Sequence, residues 1–123
     1  MINSPGLGTQ FALELTGCSA AALSTVDGVE KAMRLAAEAI SATVLSGHFH
    51  QFEPHGVSGV LVISESHFAV HTWPELGYAA IDLFTCGDKR LTLDAALPIF
   101  AKHLGATDSK ITAMTRGIGV SNV

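Results

Sequence analysis

The sequence predicts an α+β domain: a two-layer sandwich with an antiparallel β-sheet and two helices on one face. Three observations carry that prediction. Short runs that alternate polar and apolar residues recur along the chain, as in Gln10–Leu15 (QFALEL). Two other stretches, near residues 26–40 and 92–104, repeat apolar residues at helical spacing. Between them, Pro74 and Gly77 punctuate two apolar arms, a hairpin signal. The resulting order, β-α-β-β-β-α-β, favours antiparallel pairing with both helices packed on the same side. The opposite face is expected to be apolar and uncovered, and two sheets stacking in a homodimer would bury it.

Residues 1–8 hold Pro5, Gly6 and Gly8 and are expected to form a loose arm before the first strand, which ends at Gly17. Ser24 or Thr25 can cap the first helix, with Asp27 in its opening turn. Val26, Val29, Met33, Ala36, Ala37 and Ile40 then form a narrow, alanine-rich face suited to packing on a sheet. Thr43–Phe52 reads as a second strand, interrupted at Gly47 and ended by Pro54 and Gly56. The hairpin follows. Its first arm is read as a single interrupted strand, Gly59–Ile63 and then Phe68–Trp73, and its second as Tyr78–Thr85. Pairing Trp73 with Tyr78 sets Thr85 opposite Ser66 and Cys86 opposite Glu65. Asp88-Lys89-Arg90 is a predicted turn. Thr92 or Asp94 can cap a helix to about Leu104, with Pro98 near enough its start to be tolerated. Lys110–Thr115 supplies the last strand, and the tail after Gly117 is expected to fray.

The 123 residues fit one domain, and no shift in composition marks a second. With 48% hydrophobic and 15% charged residues, the chain can bury a core and leaves few charges for its surface, as expected where part of that surface meets another subunit. A formal charge of −4 and the lack of any basic run argue against nucleic acid as a partner. No stretch approaches the roughly 18 apolar residues of a membrane helix, and the first residues lack the charged start and apolar block of a signal peptide. Cys18 and Cys86 form no disulfide framework, so reduced thiols and a cytoplasmic location are expected.

The hairpin carries residues that a buried strand ordinarily avoids. Ser64-Glu65-Ser66-His67 interrupts an apolar run that begins at Val60 and resumes at Phe68, and polar groups there are costly unless paired. By type alone, Ser66 reads as a turn residue, His71 as a satisfied core histidine, Cys86 as a small hydrophobe, and Phe52 and Trp73 as core. Strand alternation puts Ser66 and His71 on opposite faces, so joint action by the two requires a bend or break between them. His48, His50 and His55 with Glu53 could suggest a metal, but their spacing matches no established zinc pattern, and no metal is expected.

From about Ala42 to Asp88 the chain closely resembles the prokaryotic S-adenosylmethionine decarboxylases, the pyruvoyl-dependent enzymes of spermidine synthesis. The resemblance rests on HGVSGVLVISESH (55–67) and VHTWPELGYAAIDLFTCG (70–87), and more weakly on FHQFEPHG (49–56), the N-terminal strand and helix with Cys18, and the Arg116-Gly117 pair. It implies a proenzyme that cuts itself between Glu65 and Ser66 into a β chain, 1–65, and an α chain, 66–123. Ser66 Oγ would attack the Glu65 carbonyl, turning the amide into an ester. Elimination and loss of ammonia would then leave a pyruvoyl group at position 66. The resemblance makes His71 the base for that elimination, Ser58 a stabiliser of the tetrahedral intermediate, and Cys86 the proton donor in decarboxylation. It also places Phe52 and Trp73 around an adenine ring and Glu75 near a ribose, with the substrate bound at a dimer interface.

The chemistry is coherent by itself. Loss of carbon dioxide from an α-amino acid leaves a carbanion that needs an electron sink, and a pyruvoyl ketone joined to the substrate amine as a Schiff base supplies one. A thiol is a reasonable acid for returning a proton near neutral pH. Self-cleavage needs a strained, well-held peptide, and a break in a central strand offers a place for it. Glu53 departs from the pattern, standing beside Phe52 where the family usually has an apolar residue. A carboxylate there could hold the guanidinium of arginine or the terminal amine of ornithine, which the same chemistry would serve. A third reading is a processing-dead homologue that binds a ligand or pairs with an active subunit.

Overall fold

The computed structural model describes residues 6–64, 66–86 and 91–120. Six strands form one antiparallel sheet: β1 (Gly8–Thr16), β2 (Val44–Gln51), β3 (Val57–Ile63), β4 (Ser66–Trp73), β5 (Tyr78–Cys86) and β6 (Asp108–Arg116). Three helices, α1 (Ala20–Leu23), α2 (Val26–Ala39) and α3 (Leu97–Leu104), complete the chain. The spatial order β2-β3-β4-β5-β1-β6 puts β4 and β5 at the centre. The α+β reading therefore holds, with two layers.

The core lies between sheet and helices. Alternate residues of β1, β3, β4 and β5 (Leu13 and Leu15, Leu61 and Ile63, Phe68 and Val70, Ile81 and Leu83) are buried together. Against them α2 presents Val29, Ala32, Met33, Ala36 and Ala37, and α3 presents Phe100 and Leu104. The Phe68 and Phe100 rings sit 6.3 Å apart across the layers. Small side chains on α2 allow a close approach to the sheet. None of these helices is long and apolar enough to cross a membrane.

Several boundaries differ from the sequence reading, each for a local reason. The interrupted arm is two strands: β3 and β4 pair antiparallel from Ile63↔Ser66 to Ser58↔His71. The sheet thus has six strands where five were expected, and the polar run 64–67 spans a two-residue connection rather than a break within one strand. The β2 strand continues through Gly47, with a register shift only between Val44 and Ser46. A Cβ at Gly47 would lie 2.6 Å from the Arg34 guanidinium, so the glycine admits that side chain and does not end the strand. Thr25 occupies the cap position of α2 without a side-chain bond. The Val26 N–H is met instead by Gln51 Oε1, at 3.0 Å. The short helix α1 was not anticipated; Ser19 caps it by accepting from the Ala22 N–H. Pro98 opens α3 as expected, after a 3-10 turn at Asp94–Ala96. The predicted turn at 88–90 lies outside the described residues.

Among the described residues no helix packs on the second face of the sheet. By register it displays His48 and His50 from β2, Ser58, Val60 and Val62 from β3, and His67, Ala69, His71 and Trp73 from β4. Tyr78, Ala80, Asp82, Phe84 and Cys86 continue it on β5, and Gln10, Ala12 and Glu14 on β1. The face is uncovered, as anticipated, but it is not simply apolar: small and branched residues are interspersed with histidines and two carboxylates. Tyr78 donates a short hydrogen bond to Glu14 on this face. That bond, with partial burial and the charges of Glu14 and Asp82, pushes the Tyr78 phenol up to about 12.

Candidate active site

The hairpin register stands as read: Trp73 pairs with Tyr78 and Ser66 with Thr85. A 3-10 turn at Pro74–Leu76 and a left-handed Gly77 join the two strands. Beside that turn lies a pocket of about 370 Å³, lined by Phe52, Pro54, His55, Gly56, Ser58, His71, Thr72, Trp73, Pro74 and Glu75. Five residues singled out from sequence meet in it: Phe52, Ser58, His71, Trp73 and Glu75.

Its polar centre is a cross-strand pair. Ser58 and His71 are directly opposed on β3 and β4, and Ser58 Oγ lies 2.8 Å from His71 Nδ1. The His71 ring lies 6.5 Å from Trp73, which lies 5.2 Å from Tyr78. Trp73 is 39% exposed and Phe52 46%, so both rings keep open surface for a flat apolar group. Glu75 stands at the rim, its carboxylate 3.9 Å from His55 Nδ1.

The pocket is anchored from below by two residues that sequence reasoning missed. Thr72 points into the core, where its hydroxyl accepts from the Val57 N–H and donates to the Leu23 carbonyl, both at 2.9 Å. The Gln51 amide donates to the carbonyls of Ser24, Phe52 and Gly56 while its oxygen accepts from Val26. The loop carrying Phe52 and His55 is thereby tied to the start of α2. The motif FHQFEPHG marked this loop, but nothing in its spacing showed Gln51 as the tie.

Other predicted residues lie apart from this pocket. Glu53 is exposed and does not line it. Glu65 lies outside the described residues, and with it the expected opposition to Cys86. Ser66 begins β4, five residues from His71. Joint action by the two within one strand required a bend or break between them, and there is none: β4 pairs without interruption to both neighbours from Ser66 onward. At about 3.3 Å per residue the two are roughly 16 Å apart along the strand and on opposite faces. One chain therefore does not bring Ser66 to His71. Cys86 is half-buried at the Ser66 end of the sheet, directly opposite Gly8. Neither cysteine is in a disulfide, and burial pushes the Cys18 thiol up. Among the described residues no three His, Cys, Asp or Glu side chains converge to hold a metal; His48 and His50 lie on β2 and His55 in the pocket rim.

A hydroxyl–imidazole pair between exposed aromatics, with a serine at the head of a central strand and a thiol beside that end of the sheet, makes a class of site that can carry acid–base and acyl chemistry on a small α+β fold. Comparison with known proteins makes the class specific. A family model described as S-adenosylmethionine decarboxylase matches residues 9–117. The chain is 46% identical over 121 residues to the S-adenosylmethionine decarboxylase proenzyme of Acetivibrio thermocellus, covering 95% of this chain and 98% of that protein. It is 44% identical over 115 residues to the proenzyme of the same name from Pseudomonas paraeruginosa, covering 92% and 70% respectively. The crystal structure of the adenosylmethionine decarboxylase from Aquifex aeolicus superposes with a TM-score of 0.80 at 30% identity, covering 98% of this chain and all of that one. The chain belongs to the S-adenosylmethionine decarboxylase family.

Proposed function

We propose that this chain is a proenzyme that cleaves itself between Glu65 and Ser66 and then decarboxylates S-adenosylmethionine, working as a homodimer whose site is shared by two copies. The observation that carries the reading is the Ser58–His71 pair, bonded at 2.8 Å inside a pocket walled by Phe52, Trp73 and Glu75. A serine hydroxyl held against an imidazole suits proton transfer, and the aromatic walls suit an adenine, whose stacking is worth about 1–3 kcal/mol in comparable sites.

The residues fit a pyruvoyl group made from Ser66. That serine supplies the carbons itself, and pairing to Ile63 on one side and Thr85 on the other holds the end that cleavage would create. The group supplies the electron sink for decarboxylation. The chain's residues do the rest. Ser66 Oγ attacks the Glu65 carbonyl, Ser58 donates to the oxygen that becomes negative, and His71 removes the α-proton of residue 66. In the decarboxylation Cys86 returns a proton to the substrate carbon.

The separation of Ser66 from His71 favours a two-copy site. Two uncovered faces stacked about a two-fold axis would set the Cys86 end of one sheet over the Ser58–His71 end of its partner, and the reverse, with the strand end at Ser66 at the edge of that interface. Such stacking would also bury Val60, Val62, Ala69, Ala80 and Phe84. The cytoplasm, where thiols stay reduced, suits Cys86 as an acid.

The arginine or ornithine reading finds no support: Glu53 lies off the pocket, and the relatives above carry the S-adenosylmethionine name. The processing-dead reading is opposed by the intact set of Ser58, Ser66, His71 and Cys86. Denaturing mass spectrometry of the purified chain tests the whole. Masses for 1–65 and a pyruvoyl-blocked 66–123, with carbon dioxide released from S-adenosylmethionine, are expected. A single full-length mass after long incubation would refute self-processing, and release from arginine alone would refute the substrate.

A further inference from the structure

A second cavity opens at the other end of the uncovered face. It measures about 410 Å³ and is lined by Gln10, His67, Phe84, Arg116 and Gly117. Its floor follows from strand register. Cys86, Gly8 and Arg116 stand directly opposite one another on β5, β1 and β6, so the thiol and the guanidinium belong to one row on the same face. Between them is a glycine, with the Phe84 ring packed over it. A Cβ at Gly8 would sit 2.8 Å from the Thr85 carbonyl oxygen, 2.9 Å from the Phe84 ring and 3.1 Å from the Cys86 Cβ, so the Phe84 ring covers the glycine and walls the cavity on that side. Two strand spacings set their backbones about 10 Å apart.

Arg116 is held in place. Its Nη1 donates to Gln10 Oε1 at 2.7 Å, which fixes the plane of the fork. Among the described residues no carboxylate lies within 4.0 Å of it. His67, whose ring stacks on Phe84 at 6.0 Å, closes the side toward Ser66, the next residue along β4. A planar cation, a side-chain amide and an imidazole around a small cavity are the donors that a carboxylate takes, and arginine takes it with two parallel bonds.

We propose that Arg116, positioned by Gln10, binds the α-carboxylate of the amino-acid substrate. This holds the substrate beside the guanidinium, on the sheet face that also carries Cys86. The inference rests on the reading that this chain decarboxylates S-adenosylmethionine at Ser66, and adds the residue that recognises the departing group. The contact exists for the substrate and not for its decarboxylated product, so Arg116 favours the first over the second and eases product release.

The test uses Ser66→Ala chains, which cannot process, and equilibrium dialysis with two ligands: S-adenosylmethionine and its decarboxylated amine. Arg116→Gln is expected to weaken S-adenosylmethionine at least about tenfold while leaving the amine's affinity unchanged or improved, as expected for a lost carboxylate contact. Arg116→Lys, which keeps the charge and loses the fork, should fall between, and Gln10→Leu should weaken only S-adenosylmethionine. Equal weakening of both ligands would reduce Arg116 to a structural role, and no weakening of either would put the carboxylate elsewhere; each overturns the proposal. Failure of the Arg116 parent to bind S-adenosylmethionine, with no carbon dioxide released by the unmutated chain, would instead sink the underlying substrate reading and the proposal with it.

Discussion

Replacing Thr72 by valine removes one hydroxyl from beneath the pocket and little else. Valine keeps the branched shape, so no cavity opens and the strand preference is retained. The loss is in hydrogen bonds. The hydroxyl accepts from Val57 N–H and donates to Leu23 C=O, both at 2.9 Å. Val57 is 1% exposed and Leu23 0%, so water cannot readily replace it. Each lost bond costs about 1 kcal/mol net, and a buried group left unpaired costs about 1–3 kcal/mol. Two such groups give a destabilisation of about 2–6 kcal/mol. With a urea slope near 1.5 kcal/mol per M, the midpoint should fall by about 1.3–4 M at fixed protein concentration. Thr72→Ser, which keeps the hydroxyl, should recover most of that shift. A drop below about 0.5 kcal/mol for valine would refute the reasoning, since it would mean that the backbone groups find other partners and that the tie between α1 and the pocket carries no weight.

Two further outcomes are expected. Trp73→Ala removes one wall of the pocket proposed for adenine, and losing about 1–3 kcal/mol of stacking should weaken a methylthioadenosine ligand about 5- to 150-fold by calorimetry; unchanged affinity would place the adenine elsewhere. Tyr78 should ionise near pH 12 by its ultraviolet absorbance, and near 10 in Glu14→Gln. Because the folded value is the higher one, the contribution of this bond to stability is full below about pH 10 and lost as pH rises toward 12. An unshifted titration in the unmutated protein would remove the bond from the account.

The fold was legible where local chemistry and tertiary structure agree. The face of α2 showed in the spacing from Val26 to Ile40, and the β4–β5 register followed from Trp73, Tyr78 and the Pro74–Gly77 turn. Reversal between β3 and β4 was hidden, because Ser64 and Glu65 lack the glycine or asparagine that advertises a tight hairpin. That one omission also hid the Ser58–His71 contact: thirteen residues separate them in sequence, and only the hidden hairpin sets them face to face. The cap of α2 was sought in Ser24 and Thr25, but a side chain from β2 fills it. Propensity sees the residues next to a helix end, not those brought there by folding. Arg116 was marked in the sequence only by the Arg116-Gly117 pair of the resemblance, and its neighbours became visible only through the alignment of β5, β1 and β6.

The sheet order has a consequence for a chain cut before Ser66. The first fragment would own β1, β2 and β3, and the second β4, β5 and β6. In space these do not form two halves, since β1 is threaded between β5 and β6. The pieces would therefore meet along three ladders, β3–β4, β5–β1 and β1–β6. Neither could leave without dismantling the centre of the other. A scission that elsewhere would release a peptide would here yield two chains interlocked like the fingers of clasped hands, parted by denaturant but not by dilution.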